Sequence, residues 1–93
     1  MILGLDGRIA LVAGASRGIG LAISRTLHAE GCRVALAARG REALEAAATS
    51  LGPDASSHVS DLTAPGSAAA LIDSVRQRWG RLDVLVCNVG SGA

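Results

Sequence analysis

Three glycines, a serine and an arginine follow the first aliphatic run of the chain, in the stretch AGASRGIG. Gly14, Gly18 and Gly20 fall within seven residues, with Ser16 and Arg17 between them. Glycines where a strand turns into a helix allow a tight turn, and they let a phosphate approach the backbone amides at the helix N-terminus. The spacing G-x-x-x-G-x-G differs from the usual dinucleotide fingerprint G-x-G-x-x-G, so a plain tight turn is the alternative. We favour a pyrophosphate-binding loop, because the glycines are flanked by a strand pattern and a helix pattern.

The elements that must position this loop alternate between strands and helices. Aliphatic runs predict strands over residues 8–13, 33–38 and 82–87, with a weaker strand over 56–60. Helical periodicity predicts helices over residues 18–30, 40–51 and 65–79. Such alternation implies a parallel sheet with right-handed crossovers. We therefore predict an α/β protein, a Rossmann-type doubly wound parallel sheet of strand order 3-2-1-4 that is truncated after its fourth strand.

The predicted helices each present an apolar face to the sheet. The residues expected there are Ile19, Ala22, Ile23 and Leu27 in the first helix, Leu44, Ala47, Ala48 and Leu51 in the second, and Ala68, Leu71, Ile72, Val75 and Trp79 in the third. Trp79 is expected to pack as the last residue of its face, and Asp83 to act as a local cap or structural contact. His28 and His58 have no carboxylate or cysteine partner that would mark a triad or a metal site.

The composition argues against several classes of function. The net charge of +1 gives no field that favours nucleic acid or an anionic membrane. No apolar stretch approaches the ~18 residues of a membrane span. Cys32 and Cys87 match no metal-ligand spacing, so we expect free thiols, no metal site and a cytoplasmic protein.

Four motifs in order make the chain resemble the short-chain dehydrogenase/reductase family: AGASRGIG, AAR after the second strand, DLT after the third and LDVLVCNVG on the fourth. The resemblance covers the whole chain. It implies a Rossmann fold that moves hydride between a nicotinamide dinucleotide and alcohols or carbonyls. By position, it assigns the cofactor phosphates and adenosine to Gly14, Ser16, Arg17, Gly18, Ile19 and Gly20. It assigns the adenine to Asp61 and Leu62, and the ribose and nicotinamide side to Asn88, Val89 and Gly90.

Two positions depart from the family pattern. The usual threonine before the first glycine is Ala13, and the usual Asn-Asn-Ala-Gly begins with Cys87. In the family the threonine hydroxyl ties the first strand to the fourth. Ala13 cannot form this bond, which is worth about 1 kcal/mol, so we expect a less rigid site within the same fold.

The end of the second strand indicates which nucleotide binds. An acidic residue there would accept the 2′-hydroxyl of NAD, but this chain has Ala38 and Arg39. Arg39, together with Arg17, offers fixed positive charge to a 2′-phosphate. The sequence therefore predicts NADP(H), with NAD(H) as the weaker alternative.

The groups that complete the family's catalytic site are absent from residues 1–93. The family uses a Tyr-x-x-x-Lys pair and a serine beyond the fourth strand, and this sequence has no tyrosine and no lysine. We therefore expect residues 1–93 to be the dinucleotide-binding part of one domain, without the catalytic half and without catalytic residues. Self-association, or pairing with a missing C-terminal half, is expected at the open edge of the fourth strand. The alternative is a non-catalytic sensor or interaction module that dimerises through that edge.

Overall fold

The computed structural model of the protein describes residues 4–88, in which seven elements alternate as predicted. They are β1 (Ile9–Ala13), α1 (Gly18–Ala29), β2 (Arg33–Ala38), α2 (Arg41–Leu51), β3 (Ala55–Val59), α3 (Ser67–Trp79) and β4 (Val84–Cys87). Each boundary lies within two residues of its prediction. Within residues 4–88, no helix is long and apolar enough to cross a membrane.

The four strands form one parallel sheet in the order β3-β2-β1-β4, which confirms the predicted topology. β1 is buried along its whole length and pairs with both β2 and β4. At its last residue, Ala13 lies opposite Ala37 of β2 and Cys87 of β4. Because all strands run the same way, the turns that follow β1, β2 and β3 lie at one edge of the sheet, together with the carboxyl end of β4.

Alternate residues of β1 feed two separate cores, one on each face of the sheet. Ala10 and Val12 pack with α2 and α1 on one face, and Ile9 and Leu11 pack with α3 on the other. The predicted face of α2 is confirmed, since Leu44, Ala47 and Ala48 are buried with Leu51 against them. The two faces thus place α1 and α2 opposite α3, as a doubly wound sheet requires.

The predicted faces of α1 and α3 are partly wrong. The buried positions of α1 are Gly20 and Ser24, whereas Ile19 is 70% exposed. Helix α1 lies too close to the loop after β1 to admit a large side chain at that end. Ala68 is also exposed, because α3 buries only the narrower stripe formed by Leu71 and Val75.

Asp83 fixes the start of β4 against the start of β1. Its amide donates to the Ile9 carbonyl and its Oδ2 accepts from the Ile9 amide, both at 2.9 Å. Arg81 Nε donates to the same Oδ2 at 2.9 Å, and Arg8 Nη1 lies 3.6 Å from Oδ1. The Ile9 hydrogen bond, followed by the two arginines, lowers the pKa of Asp83. The expected structural role of this carboxylate is confirmed.

A chain of hydrogen bonds joins β3 to α3 and fixes the protonation of His58. Trp79 Nε1 donates to Ser56 Oγ at 2.9 Å, and Ser56 Oγ lies 2.8 Å from His58 Nε2. His58 Nδ1 lies 2.8 Å from Ser74 Oγ, whose own proton goes to the Leu71 carbonyl at 3.0 Å. Ser74 must therefore accept from Nδ1–H, which leaves Nε2 to accept from Ser56 in a neutral ring.

We predict that this network makes stability fall as the pH drops from 7 towards 5. Burial, and then the nearby Arg78 charge, lower the pKa of His58 in the folded protein. The unfolded chain therefore binds a proton below about pH 6.5 that the folded chain resists, and the free energy of unfolding declines in that window. Urea denaturation at pH 7.5, 6 and 5 measures the decline. His58→Gln removes this part of the pH dependence, whereas the control His28→Gln retains it. Identical pH profiles for wild type and His58→Gln would contradict the interpretation.

Candidate functional site

The loop after β1 is anchored to the end of β2. Gly14 leaves the strand at φ 76°, a left-handed conformation that favours glycine. The amides of Gly14 and Ala15 both donate to the Ala37 carbonyl, at 2.8 and 3.1 Å. The first turn of the loop is therefore held by backbone bonds and lies directly over the carboxyl end of the sheet.

Gly20 brings helix α1 into direct contact with this turn. A Cβ at Gly20 would overlap the carbonyl oxygen of Gly14, and it would lie 2.8 Å from the Gly14 carbonyl carbon and 3.1 Å from Ala15 Cα. Gly18 differs, because nothing lies within 4 Å of its Cβ position and its φ of +62° is what requires glycine. The loop is thus packed tightly beneath Gly20 and open above Gly18.

The backbone amides of residues 16–20 all lack an acceptor among residues 4–88. The first helical bond of this region runs from the Leu21 amide to the Arg17 carbonyl, at 3.4 Å. Arg17 is the N-cap residue in an extended conformation, and its side chain makes no capping bond. Amides that have no partner within the described residues, at the positive end of a helix, are suited to bind an anionic oxygen.

Arg17 and Arg39 add positive charge to the same edge. Both side chains are exposed, and neither forms an ion pair within the described part of the chain. Arg39 directly follows β2, where no acidic residue is present. Within the described residues, the two guanidinium groups are therefore not neutralised by a carboxylate.

The turn after β3 lies beside Arg39. The Ser60 amide donates to the Ala38 carbonyl at 2.9 Å, which ties this turn to the end of β2. The bonds from Thr63 and, more weakly, the Arg39 charge lower the pKa of Asp61. The Leu62 amide donates to no acceptor among residues 4–88, and its side chain packs against the α3 core.

The end of β4 completes the edge. The Asn88 amide donates to the Ala13 carbonyl at 2.9 Å, so the backbone joins β4 to β1 without the threonine hydroxyl that Ala13 lacks. Cys87 lies opposite Ala13 as an exposed free thiol, and Cys32 is a buried free thiol. Val89 and Gly90, which were assigned to the same site, lie outside the described residues.

The structure thus brings the predicted residues after β1, β2 and β3, and Asn88 after β4, to one edge of the sheet. It adds one residue there that the sequence analysis missed. Thr63 donates to Asp61 Oδ1 through its amide at 3.0 Å and through Oγ1 at 2.6 Å. An aspartate followed two residues later by a threonine is a recognisable turn signal, so this contact could have been found from the motif DLT. His28 and Asp83 belong to other parts of the fold, and no cluster of three metal-binding side chains occurs in residues 4–88.

Comparison with known proteins identifies the family. The family model described as short chain dehydrogenase matches residues 8–93. The chain belongs to the short-chain dehydrogenase family. It is 38% identical over 88 residues to the 3-oxoacyl-(acyl-carrier-protein) reductase FabG of Escherichia coli, covering 95% of this chain and 36% of that protein. It is 40% identical over 84 residues to the sorbitol dehydrogenase of Cereibacter sphaeroides, covering 90% and 33%.

Solved structures of similar proteins carry nicotinamide dinucleotides. The actinorhodin polyketide ketoreductase with NADPH superposes with a TM-score of 0.85 at 42% identity, over 92% of this chain and 34% of that one. The RhlG/NADP complex of Pseudomonas aeruginosa gives a TM-score of 0.87 at 42% identity, over 94% and 36%. A Brucella melitensis 3-ketoacyl-(acyl-carrier-protein) reductase complexed with NADH gives 0.83 at 25% identity, over 87% and 34%. This chain spans about a third of the length of these relatives.

We predict that Gly20→Ala destabilises the protein by about 3 kcal/mol, at the upper end for overpacking, because the added methyl group meets backbone that cannot rotate away. Chemical denaturation measures the loss. The matched control is Gly40→Ala, whose Cβ position is open and whose φ is −85°. It should cost less than about 1 kcal/mol, the difference between glycine and alanine at an N-cap. Equal losses in the two variants would show that Gly20 does not control the approach of α1.

Proposed function

We propose that residues 1–93 form the NADP(H)-binding part of a cytoplasmic oxidoreductase that transfers hydride between NADP(H) and an alcohol or carbonyl compound. The observation that carries the proposal is the row of unpaired amides at residues 16–20, beside the Gly14–Gly20 contact. A pyrophosphate supplies the acceptors that these amides lack. The nicotinamide ring would supply the hydride chemistry, and the residues described here bind and orient the nucleotide.

The arginines support NADP(H) over NAD(H). Arg39 stands where a carboxylate would otherwise accept the ribose 2′-hydroxyl, and Arg17 projects from the phosphate loop. Charged hydrogen bonds contribute roughly 1.5–3 kcal/mol each, so two of them favour the 2′-phosphate by well over tenfold. The similar structures include both NADP(H) and NADH complexes, so the preference rests on these side chains.

The turn after β3 supports recognition of the adenine. Asp61 Oδ2 and the Leu62 amide have no hydrogen-bond partner among residues 4–88, while Oδ1 is occupied by Thr63. An acceptor beside a donor complements the 6-amino group and N1 of adenine. On the β4 side, Asn88 would line the ribose and nicotinamide with Val89 and Gly90.

We predict that the protein binds NADPH at least tenfold more tightly than NADH. Arg39→Asp should abolish or reverse the preference, because it replaces a cation beside the 2′-phosphate with an anion. Calorimetric titration of both nucleotides measures it, and Arg25→Asp, an exposed position on α1, is the control for net charge. Equal wild-type affinities, or NADPH binding by Arg39→Asp at wild-type strength, would refute the assignment.

We predict that a protein of these 93 residues does not reduce carbonyl compounds at an enzymatic rate. Positioned acid-base groups contribute about 10²–10⁴-fold, and this sequence contains neither the tyrosine nor the lysine that the family uses. NADPH oxidation should be followed with a panel of ketones and aldehydes, using protein of verified mass. Robust turnover by a monomer would overturn the prediction.

A second candidate is a non-catalytic nucleotide-binding module that self-associates through β4. Within the described residues β4 pairs only with β1, and Leu85 is 57% exposed. An open strand edge is a template for pairing with another chain or with a missing C-terminal half. The length of the encoding reading frame separates the candidates, because the first requires a catalytic half encoded beyond residue 93 and the module does not.

A further inference from the structure

We propose that Thr63 is a positioning residue that holds the Asp61 carboxylate in the orientation that recognises the adenine base. The inference rests on the proposed function and deepens it. The resemblance to the family assigns Asp61 and Leu62 of the DLT motif to the adenine, but it assigns no role to Thr63. The role proposed for Thr63 rests on the geometry of the turn.

Two donors from one residue fix one oxygen of Asp61. The Thr63 amide lies 3.0 Å from Oδ1 and the Thr63 hydroxyl lies 2.6 Å from the same atom. The Asp61 carbonyl also accepts from the Ala64 amide at 3.0 Å, so the backbone of the turn closes independently of either side chain. With Oδ1 held, Oδ2 is the oxygen that remains for an external donor.

Without Thr63 the carboxylate would have little to orient it. Asp61 and Thr63 are both exposed, and no other residue of the described chain donates a hydrogen bond to Asp61 Oδ1 or Oδ2. An exposed carboxylate rotates freely, and ordering it on binding costs affinity. Thr63 removes that cost in advance, because the side chain is ordered before the nucleotide arrives.

Thr63 also keeps the carboxylate an acceptor. Its hydroxyl and amide are the largest contributors that lower the pKa of Asp61, and the charge of Arg39 adds to them. An ionised carboxylate accepts from the amino group of adenine, whereas it repels the 6-oxo group of hypoxanthine in the same place. The orientation set by Thr63 therefore predicts discrimination between these two bases.

The geometry of the turn also argues against a purely structural role for the Thr63 hydroxyl. Helix α3 begins four residues later at Ser67, and the Ser67 amide bonds to the Ala64 carbonyl at 3.2 Å. Removing the Thr63 hydroxyl leaves that bond and the Asp61–Ala64 bond intact. The loss should therefore fall on Asp61 rather than on the fold.

The test compares Thr63→Val, which removes the hydroxyl at nearly constant shape, with Thr63→Ser, which restores it. Thr49→Val, at an exposed position of α2, is the matched control. Each purified protein is titrated with NADPH and with its hypoxanthine analogue. We expect Thr63→Val to weaken NADPH binding roughly two- to tenfold, because the Asp61 side chain must then be ordered on binding. Binding of the analogue should change less than about twofold, so the preference for adenine collapses. Thr63→Ser and Thr49→Val should retain it.

An NMR titration of the Asp61 carboxyl gives a readout that needs no nucleotide. Its pKa should rise towards the ordinary value in Thr63→Val and stay low in Thr63→Ser. A wild-type protein that binds NADPH while Thr63→Val keeps the full adenine preference overturns the inference and leaves the proposed function standing. A wild-type protein that binds neither nucleotide overturns the proposed function, and the adenine role of Thr63 with it.

Discussion

The position of β1 at the centre of the sheet is the constraint on which the rest of the structure depends. Leu11 and Val12 are fully buried on opposite faces, and each such side chain contributes about 1.5–3 kcal/mol. The same strand pairs with β2 and β4, so the register of these pairings determines where both neighbouring strands end relative to the end of β1. The bonds from Gly14 and Ala15 to Ala37, and from Asn88 to Ala13, then attach the site directly to that end. A shift in the register of β1 would therefore move the glycine loop relative to the ends of β2 and β4.

The close approach of α1 to β1 explains why the residues at this contact are so small. Gly20 touches the backbone of Gly14, and Ser24, one turn later, is buried with its hydroxyl bonded to the Gly20 carbonyl at 2.9 Å. Larger side chains would bury more apolar surface but would lift the helix from the loop. The small residues bury less apolar surface, but they allow the unpaired amides at the helix N-terminus to lie beside the carboxyl edge of the sheet. The large aliphatic side chains of the core are placed elsewhere, under α2 and α3.

The difference between these two kinds of packing explains which parts of the fold could be predicted from the sequence. The strand order follows from the alternation of strands and helices along the chain. The buried face of α2 follows from the helical spacing of its leucine and alanine residues, because these side chains form part of the core. Hydrophobic periodicity predicted that Ile19 faces the core, which is wrong. Periodicity detects apolar side chains, whereas the closest contact of α1 is made by Gly20, which has none. Asp83 contacts Ile9, which lies 74 residues away in the chain, and His58 contacts Ser74, which lies 16 residues away. No local pattern specifies such pairs, whereas the contact of Thr63 with Asp61 spans two residues and was open to prediction.

Two opposite charges lie at the carboxyl edge of the sheet without neutralising each other. Arg39 directly follows β2 and Asp61 lies two residues after β3, and these two strands pair with each other in the sheet. The ion pairs of the described chain nevertheless join other residues, Asp83 with Arg8 and Arg81, and Arg41 with Glu45. Thr63 holds Asp61 Oδ1 within its own turn, which leaves the guanidinium of Arg39 free of a direct carboxylate contact. Under the proposed function, a 2′-phosphate and the neutral 6-amino group of adenine would bind at adjacent positions, because Arg39 and Asp61 do not neutralise each other.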